Sequence, residues 1–179
     1  MMGGAHRNAV DRISESRLWQ RHMEMARIGA IPGNGVNRAA LSDEDIAARK
    51  VLLGWAKARK FEIAVDAIGN LFVRRPGRDP DAAPVMTGSH MDSQPRGGRF
   101  DGIFGVLAGL EALEAIDEAG VTTRRPIELV AWTNEEGGRF EPCTMGSSVY
   151  TGARRLEDFL DVCDNHGTRL SDALAKTLA

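Results

Sequence analysis

The stretch that decides the fold is residues 84–102, which read Pro-Val-Met-Thr-Gly-Ser-His90-Met-Asp92-Ser-Gln-Pro-Arg-Gly-Gly-Arg-Phe-Asp101-Gly. It contains a short apolar run, a His-X-Asp triplet, a loop rich in glycine and proline, and an Asp-Gly pair that opens an apolar segment. A second apolar run, residues 127–132, is followed by Thr-Asn-Glu135-Glu136-Gly. Ligands of open α/β sheets bind at the carboxyl ends of the strands. The polar residues after both runs are therefore candidates for one site.

The segment between the two apolar runs predicts a helix. Residues 102–118 carry apolar side chains at every third and fourth position, and Gly120 follows as a stop signal. A strand, a helix and a second strand in this order indicate a βαβ unit with parallel strands and a right-handed crossover. Because residues 85–89 contain few polar atoms, they predict a central strand that is covered on both faces.

The rest of the chain supplies flanking elements. Ser14 or Ser16 can cap a first helix, and Ser42 precedes acidic residues that favour the start of a second helix. Residues 61–65 and 71–73 predict a hairpin, and a last helix is predicted near Ser171. The fold class expected from these patterns is α/β, with a mixed, largely parallel sheet and flanking helices.

Length and composition restrict the class of protein. A chain of 179 residues with 42% hydrophobic content fits one domain with a buried core. Its net charge of −2 gives no electrostatic reason to expect a nucleic acid or membrane partner. Cys143 and Cys163 are too few for a disulfide framework, and neither a secretory signal nor an apolar run of membrane-spanning length is visible. We therefore predict a cytoplasmic protein.

The polar residues at the strand ends form a set that suits metal chemistry. His90, Asp101, Glu135 and Glu136 offer one imidazole and three carboxylates, which are ligands for zinc and related divalent ions. Side chains on a regular strand alternate between its two faces, so Glu135 and Glu136 must lie on a turn to serve one site. Each feature alone most often has a structural role. Their convergence at two strand ends favours a metal-dependent hydrolase.

The motifs resemble those of the metal-dependent amidohydrolases that include N-carbamoyl-L-amino acid hydrolases, allantoate amidohydrolases and β-ureidopropionases, within the M20-type peptidase superfamily. The matching stretches are residues 27–30, 70–79, 87–93, 97–111 and 132–140. The first two of these favour the carbamoylase branch over the aminoacylase and peptidase branches. The resemblance implies that the chain is part of a zinc-peptidase-like catalytic domain.

The resemblance also implies a role for each site residue. His90 and Glu136 would each bind one of two divalent metal ions, Asp101 would bridge both ions, and Asp92 would orient His90. Zinc is the expected metal, with manganese, cobalt and nickel as alternatives. Glu135 would be the general base for a metal-bound water that attacks a linear amide or ureido C–N bond. N-carbamoyl-L-amino acids are the favoured small-molecule substrates, and an allantoate amidohydrolase, an aminoacylase or a peptidase are the alternatives.

The resemblance covers only the first part of the family pattern. Residues 1–12 are interpreted as a flexible leader and residues 13–179 as the N-terminal part of the metal-dependent catalytic domain. The lid and dimerisation domain and the C-terminal part of the catalytic domain, which carries two further histidine ligands, are expected to be absent. Full-length relatives would be homodimers, whereas this chain would be a monomer. A truncated, non-catalytic remnant that binds metal or a partner is the competing hypothesis.

Overall fold

The computed structural model describes residues 8–179. Residues 1–7 of the predicted leader lie outside the described residues, and the described part of the leader begins with a helical turn at residues 8–10. The helices are α1 (Glu15–Met25), α2 (Asp43–Ala58), α3 (Ile103–Glu118), α4 (Met145–Tyr150) and α5 (Leu170–Leu178). The strands are β1 (Ala30–Ile31), β2 (Gly35–Val36), β3 (Glu62–Val65), β4 (Leu71–Arg75), β5 (Val85–His90), β6 (Gly97–Gly98) and β7 (Ile127–Trp132).

The two predicted helix starts are confirmed by their caps. The hydroxyl of Ser14 accepts a hydrogen bond from the Arg17 N–H at 3.2 Å, and that of Ser42 accepts one from the Asp45 N–H at 3.2 Å. Each bond satisfies a backbone donor that the first turn of a helix leaves without a partner. Helix α3 buries the apolar residues that its spacing predicted, including Val106.

The main sheet has the strand order β3-β4-β7-β5. Strands β5 and β7 are parallel and are joined through α3, as the predicted βαβ unit requires. Strands β3 and β4 form the predicted antiparallel hairpin, and β4 then pairs antiparallel with β7. The α/β class with a mixed sheet and flanking helices is thus confirmed. The expectation of a largely parallel sheet is wrong for the described strands, because the hairpin joins β7 in the opposite direction.

The prediction of a central, doubly covered β5 is also wrong for the described residues. This strand ends the strand order of the sheet, and Val85, Thr87 and Gly88 on it are exposed. Low polarity cannot distinguish an edge strand from a central one, because it carries no information about the pairing partner. Helix α3 packs closely against one face of β5. A Cβ atom added at Gly105 of the helix would lie only 2.7 Å from the Cβ of Ser89 on the strand.

The main core lies between this sheet and the helices α1, α2 and α3. It contains apolar residues from all of these elements, among them Met25, Leu52, Val73, Leu107, Leu110 and Leu129. A second cluster joins Leu41, Ile68, Phe140 and Met145 to α5. The strands β1, β2 and β6 form a separate small antiparallel sheet. Among residues 8–179, none of the helices is both long enough and apolar enough to cross a membrane.

Candidate metal centre

The parallel pairing of β5 and β7 brings the two polar stretches to the same end of the sheet. His90, the last residue of β5, is in register with Trp132, the last residue of β7. The segment 133–136 therefore begins beside the segment that follows His90. Asp101 lies two residues before the first residue of α3, the helix that connects the two strands. The prediction that these segments meet at the carboxyl ends of the two strands is confirmed.

His90, Asp101 and Glu136 form a cluster that suits a divalent cation. Each residue offers one ligand atom, and these atoms all lie within 4.8 Å of one another. His90 is buried, Glu136 is half-buried and Asp101 is exposed, so the cluster opens to solvent on its carboxylate side. One imidazole nitrogen with two carboxylate oxygens is a donor set that zinc accepts.

The orientation of His90 leaves one ring nitrogen available. Its Nδ1 lies 2.8 Å from the main-chain oxygen of Asp92. Because a carbonyl oxygen only accepts hydrogen bonds, Nδ1 carries the proton and the lone pair of a neutral ring is on Nε2. That atom lies 3.3 Å from Oε2 of Glu135. The Nε2 lone pair and the Glu135 carboxylate are both electron-rich. A cation bound between or beside them would stabilise this arrangement.

Asp92 contacts the site differently from its predicted role. Its main-chain oxygen orients the His90 ring, while its Oδ1 lies 3.7 Å from Nδ1, beyond hydrogen-bond length. Its carboxylate oxygens instead accept the backbone N–H groups of Glu135 and Glu136, each at 3.3 Å. Burial raises the pKa of Asp92 to about 6 and Asp45 adds to the effect, whereas His90 and the two N–H groups oppose it. The Asp92 carboxylate thus anchors the turn that carries both glutamates.

The turn after β7 has the conformation that the adjacent glutamates require. Strand β7 ends at Trp132, and Asn134 has a φ of 50°, in the left-handed region. Gly137 follows with a φ of 67°. Two departures from extended backbone within four residues remove the strict alternation of side chains. Glu135 and Glu136 lie outside the regular strand, and both place a carboxylate oxygen near the His90 ring.

Gly102 is required by the position of the His90 ring. It has a φ of 64°, and a Cβ atom placed on it would overlap the imidazole of His90. The segment that carries Asp101 therefore approaches the ring through a residue without a side chain. This close approach explains why a glycine follows Asp101, since any side chain at residue 102 would meet the His90 ring.

Two buried polar residues support the site and were not predicted from the sequence. Arg38, only 1% exposed, donates from Nε to the main-chain oxygen of Met91 at 2.6 Å, between His90 and Asp92. Asn70, fully buried, accepts the Thr133 N–H at 2.9 Å, at the carboxyl end of β7. Their partners are 53 and 63 residues away in sequence. No local pattern marks either residue, because an arginine or an asparagine in a loop is usually solvated.

Comparison with protein families and known proteins is consistent with this geometry. The family model described as Peptidase family M20/M25/M40 matches residues 86–176. The matched range includes all five residues predicted for the site. It begins within β5 and ends within α5.

Individual proteins of known sequence or structure resemble nearly the whole chain. An N-carbamoyl-L-amino-acid amidohydrolase of Rhizobium meliloti is 43% identical over 165 residues, which are 92% of this chain and 40% of that protein. A ureidoglycolate hydrolase of Oryza sativa subsp. japonica is 32% identical over 96% of this chain and 36% of its own length. The crystal structure of a hydantoinase/carbamoylase family amidase from Burkholderia ambifaria superimposes with a TM-score of 0.90. It is 50% identical and covers 93% of this chain and 41% of that one. The chain spans about 40% of the length of the relatives it matches.

Proposed function

The chain belongs to the Peptidase family M20/M25/M40, and on that premise we propose that it carries part of the active site of a metal-dependent hydrolase. The reaction would be hydrolysis of a linear amide or ureido C–N bond in a small molecule. The observation that carries this proposal is the meeting of His90, Asp101 and Glu136 within 4.8 Å, with Glu135 beside the same histidine.

In this proposal the three clustered residues hold two divalent ions, zinc by preference. His90 would use Nε2, since its other nitrogen is hydrogen-bonded to the Asp92 carbonyl. Asp101 and Glu136 would hold the ions together with His90, each through its carboxylate. When bound, such ions lower the pKa of water and polarise a substrate carbonyl.

Glu135 would move the proton during hydrolysis. Its side chain is 35% exposed, so both a water molecule and a substrate can approach it. It would take a proton from the water that attacks the carbonyl carbon and return that proton to the leaving nitrogen. Asp92 keeps this carboxylate near His90 by accepting the Glu135 N–H. For an N-carbamoyl amino acid, the products would be the amino acid, ammonia and carbon dioxide.

N-carbamoyl-L-amino acids are the proposed substrates. Their support is the 43% identity to the N-carbamoyl-L-amino-acid amidohydrolase of Rhizobium meliloti, against 32% to the ureidoglycolate hydrolase of rice. Ureidoglycolate is the second candidate, because that relative matches 96% of the chain. Both substrates contain a ureido carbon bonded to two nitrogens, so the same proton transfers by Glu135 would serve either.

The metal centre can be tested on the chain itself. After treatment with EDTA, the chain would be titrated calorimetrically with Zn²⁺, Mn²⁺, Co²⁺ and Ni²⁺. We expect binding that is greatly weakened in His90→Ala and in Asp101→Ala. If the unaltered chain binds none of these ions more tightly than the two variants do, the proposed metal centre is rejected.

Turnover and substrate can be tested in chimeras. The chain would replace the matched stretch of the Rhizobium meliloti enzyme in one protein and of the rice enzyme in another. We expect the chimera with the Rhizobium meliloti enzyme to release ammonia from N-carbamoyl-L-amino acids. We expect the chimera with the rice enzyme to lose a much larger share of the activity of its parent enzyme. A chimera with the rice enzyme that kept the greater share of its parent's activity would reject the substrate assignment and leave the metal centre standing.

A further inference from the structure

We infer that Gln94 is a positioning residue for Glu136, an inference that rests on the proposed metal centre. Gln94 lies in the loop that follows His90 and Asp92, and it is exposed at the rim of the site. The amide nitrogen of its side chain donates to the main-chain oxygen of Glu136 at 2.9 Å and to its Oε2 at 3.1 Å. One NH₂ group thus contacts both the backbone and the carboxylate of a single residue.

The chemistry of the two partners fixes the orientation of the Gln94 amide. A carbonyl oxygen and an ionised carboxylate oxygen only accept hydrogen bonds, so the nitrogen of the amide, and not its oxygen, must face Glu136. Both contacts use the same nitrogen, and the contact to the main-chain oxygen holds that nitrogen in place. Rotation of the Glu136 side chain would therefore break the contact to Oε2. The pair of bonds therefore selects one conformation of this carboxylate.

The backbone of Glu136 is held from its other side as well. Its N–H donates to Oδ2 of Asp92 at 3.3 Å, while its carbonyl accepts from Gln94. Two residues of the loop after β5 thus hold one residue of the turn after β7. Gly138 also packs against the Gln94 side chain. A Cβ atom added at Gly138 would lie only 3.2 Å from the Gln94 Oε1. The turn and the Gln94 side chain therefore lie against each other.

An amide is a suitable group for this task. A carboxylate has about four lone-pair positions, so one N–H on Oε2 leaves the other oxygen free for a metal ion. Hydrogen bonds to a ligating carboxylate fix its plane before the ion arrives, and loss of such partners typically weakens metal affinity. A neutral donor achieves this without adding a positive charge that would repel the ion.

The test measures metal affinity in the chain itself. Metal-free wild type, Gln94→Leu and Gln94→Ala would be titrated with Zn²⁺ and Co²⁺ in a calorimeter, and the visible spectrum of the Co²⁺ form recorded. Gln20→Leu is the matched control, because Gln20 is an exposed glutamine on α1. We expect both Gln94 variants to bind about 10-fold or more weakly, with a changed Co²⁺ spectrum and an unchanged melting temperature of the metal-free chain.

Three outcomes would overturn the inference, and they are distinguishable. If wild type binds metal and the Gln94 variants bind it equally well with the same spectrum, Gln94 does not position Glu136. If affinity and melting temperature fall together while the spectrum is kept, Gln94 has a structural role. If wild type binds no metal, the proposed metal centre fails, and the role of Gln94 fails with it.

Discussion

The Nε2 atom of His90 lies 3.3 Å from Oε2 of Glu135, although His90 ends one strand and Glu135 follows another. The other ring nitrogen is occupied by the Asp92 carbonyl at 2.8 Å. Glu135 is not one of the three residues whose ligand atoms cluster within 4.8 Å. A carboxylate therefore lies beside the candidate metal cluster without belonging to it, which is the position that the proposed general base requires.

We expect Glu135→Gln to abolish turnover while leaving metal binding intact. The amide cannot accept a proton from water, and loss of a general base typically lowers the rate by about 10²–10⁴-fold. Ammonia release by the carbamoylase chimera would be measured alongside metal content by mass spectrometry. Glu136→Gln is the matched control, and we expect it to lose metal as well as activity. Turnover that survives in Glu135→Gln would exclude this residue as the base.

Gly102→Ala should weaken metal binding by displacing the imidazole of His90. The new methyl group would occupy the volume of the ring, and the φ of 64° adds backbone strain. Gly120→Ala is a matched control, because Gly120 has a φ of 63° but, apart from its two chain neighbours, no atom of the described residues lies within 4 Å of the position that its new methyl group would take. We expect both variants to lose melting temperature from backbone strain, Gly102→Ala more because of the added overlap, and only Gly102→Ala to lose Zn²⁺ affinity. Equal Zn²⁺ affinities in the two variants would contradict the steric explanation.

Asp92→Asn should lower metal affinity through the turn that carries Glu136. The carboxylate accepts two N–H groups through its two oxygens, whereas an asparagine side chain offers one acceptor oxygen and would direct its NH₂ at the other donor. We expect Zn²⁺ binding to weaken by about 10–100-fold in calorimetry. Asp164→Asn is a suitable control, since one oxygen of Asp164 accepts both of its backbone N–H partners. A Zn²⁺ affinity unchanged in Asp92→Asn would show that the turn does not depend on this carboxylate.

Much of the site follows from local sequence patterns. The spacing of apolar residues in 102–118 defines α3, and the two apolar runs define β5 and β7. A helix between two strands in one sheet makes them parallel, so their polar carboxyl ends must meet. The meeting of His90 with Glu135 could therefore be predicted without coordinates.

What could not be predicted depends on contacts between distant segments. The position of β5 at the end of the strand order is set by which strands pair with β7, and apolar composition does not encode that choice. His90 contacts the main-chain oxygen of Asp92 and not its carboxylate, and this choice depends on side-chain rotations that the local sequence does not specify. Arg38 and Asn70 acquire their roles only after the loops have folded around them.

His22 is a buried titratable residue that does not belong to the candidate metal cluster. It is 3% exposed, and within residues 8–179 neither ring nitrogen has a hydrogen-bond partner. Its ring stacks on Phe104 at 5.6 Å between centroids and meets the edge of Phe100 at 5.4 Å. Burial lowers the pKa of His22 below its ordinary value. The folded state thus takes up a proton on His22 less readily than the unfolded state does.

The sign of the resulting pH dependence follows from linkage. Above the unfolded pKa of about 6.5, both states are neutral at this residue and the folded state keeps its full stability. As the pH falls below that value, only the unfolded state gains the proton, so the free energy of unfolding decreases until the folded pKa is reached. Replacing the imidazole by an apolar side chain removes this proton uptake and should flatten the acid side of the stability curve.

We therefore expect His22→Leu to gain stability relative to wild type as the medium is acidified, by up to about 1.4 kcal/mol for each pH unit below the unfolded pKa. Urea unfolding of both proteins between about pH 5 and pH 7.5 measures the difference, in which the contributions of all other groups cancel. His166→Leu, at an exposed histidine, controls for the loss of a histidine as such. Parallel stability curves for wild type and His22→Leu would mean that the folded state accommodates the proton, and that Phe100 and Phe104 do not keep the ring neutral.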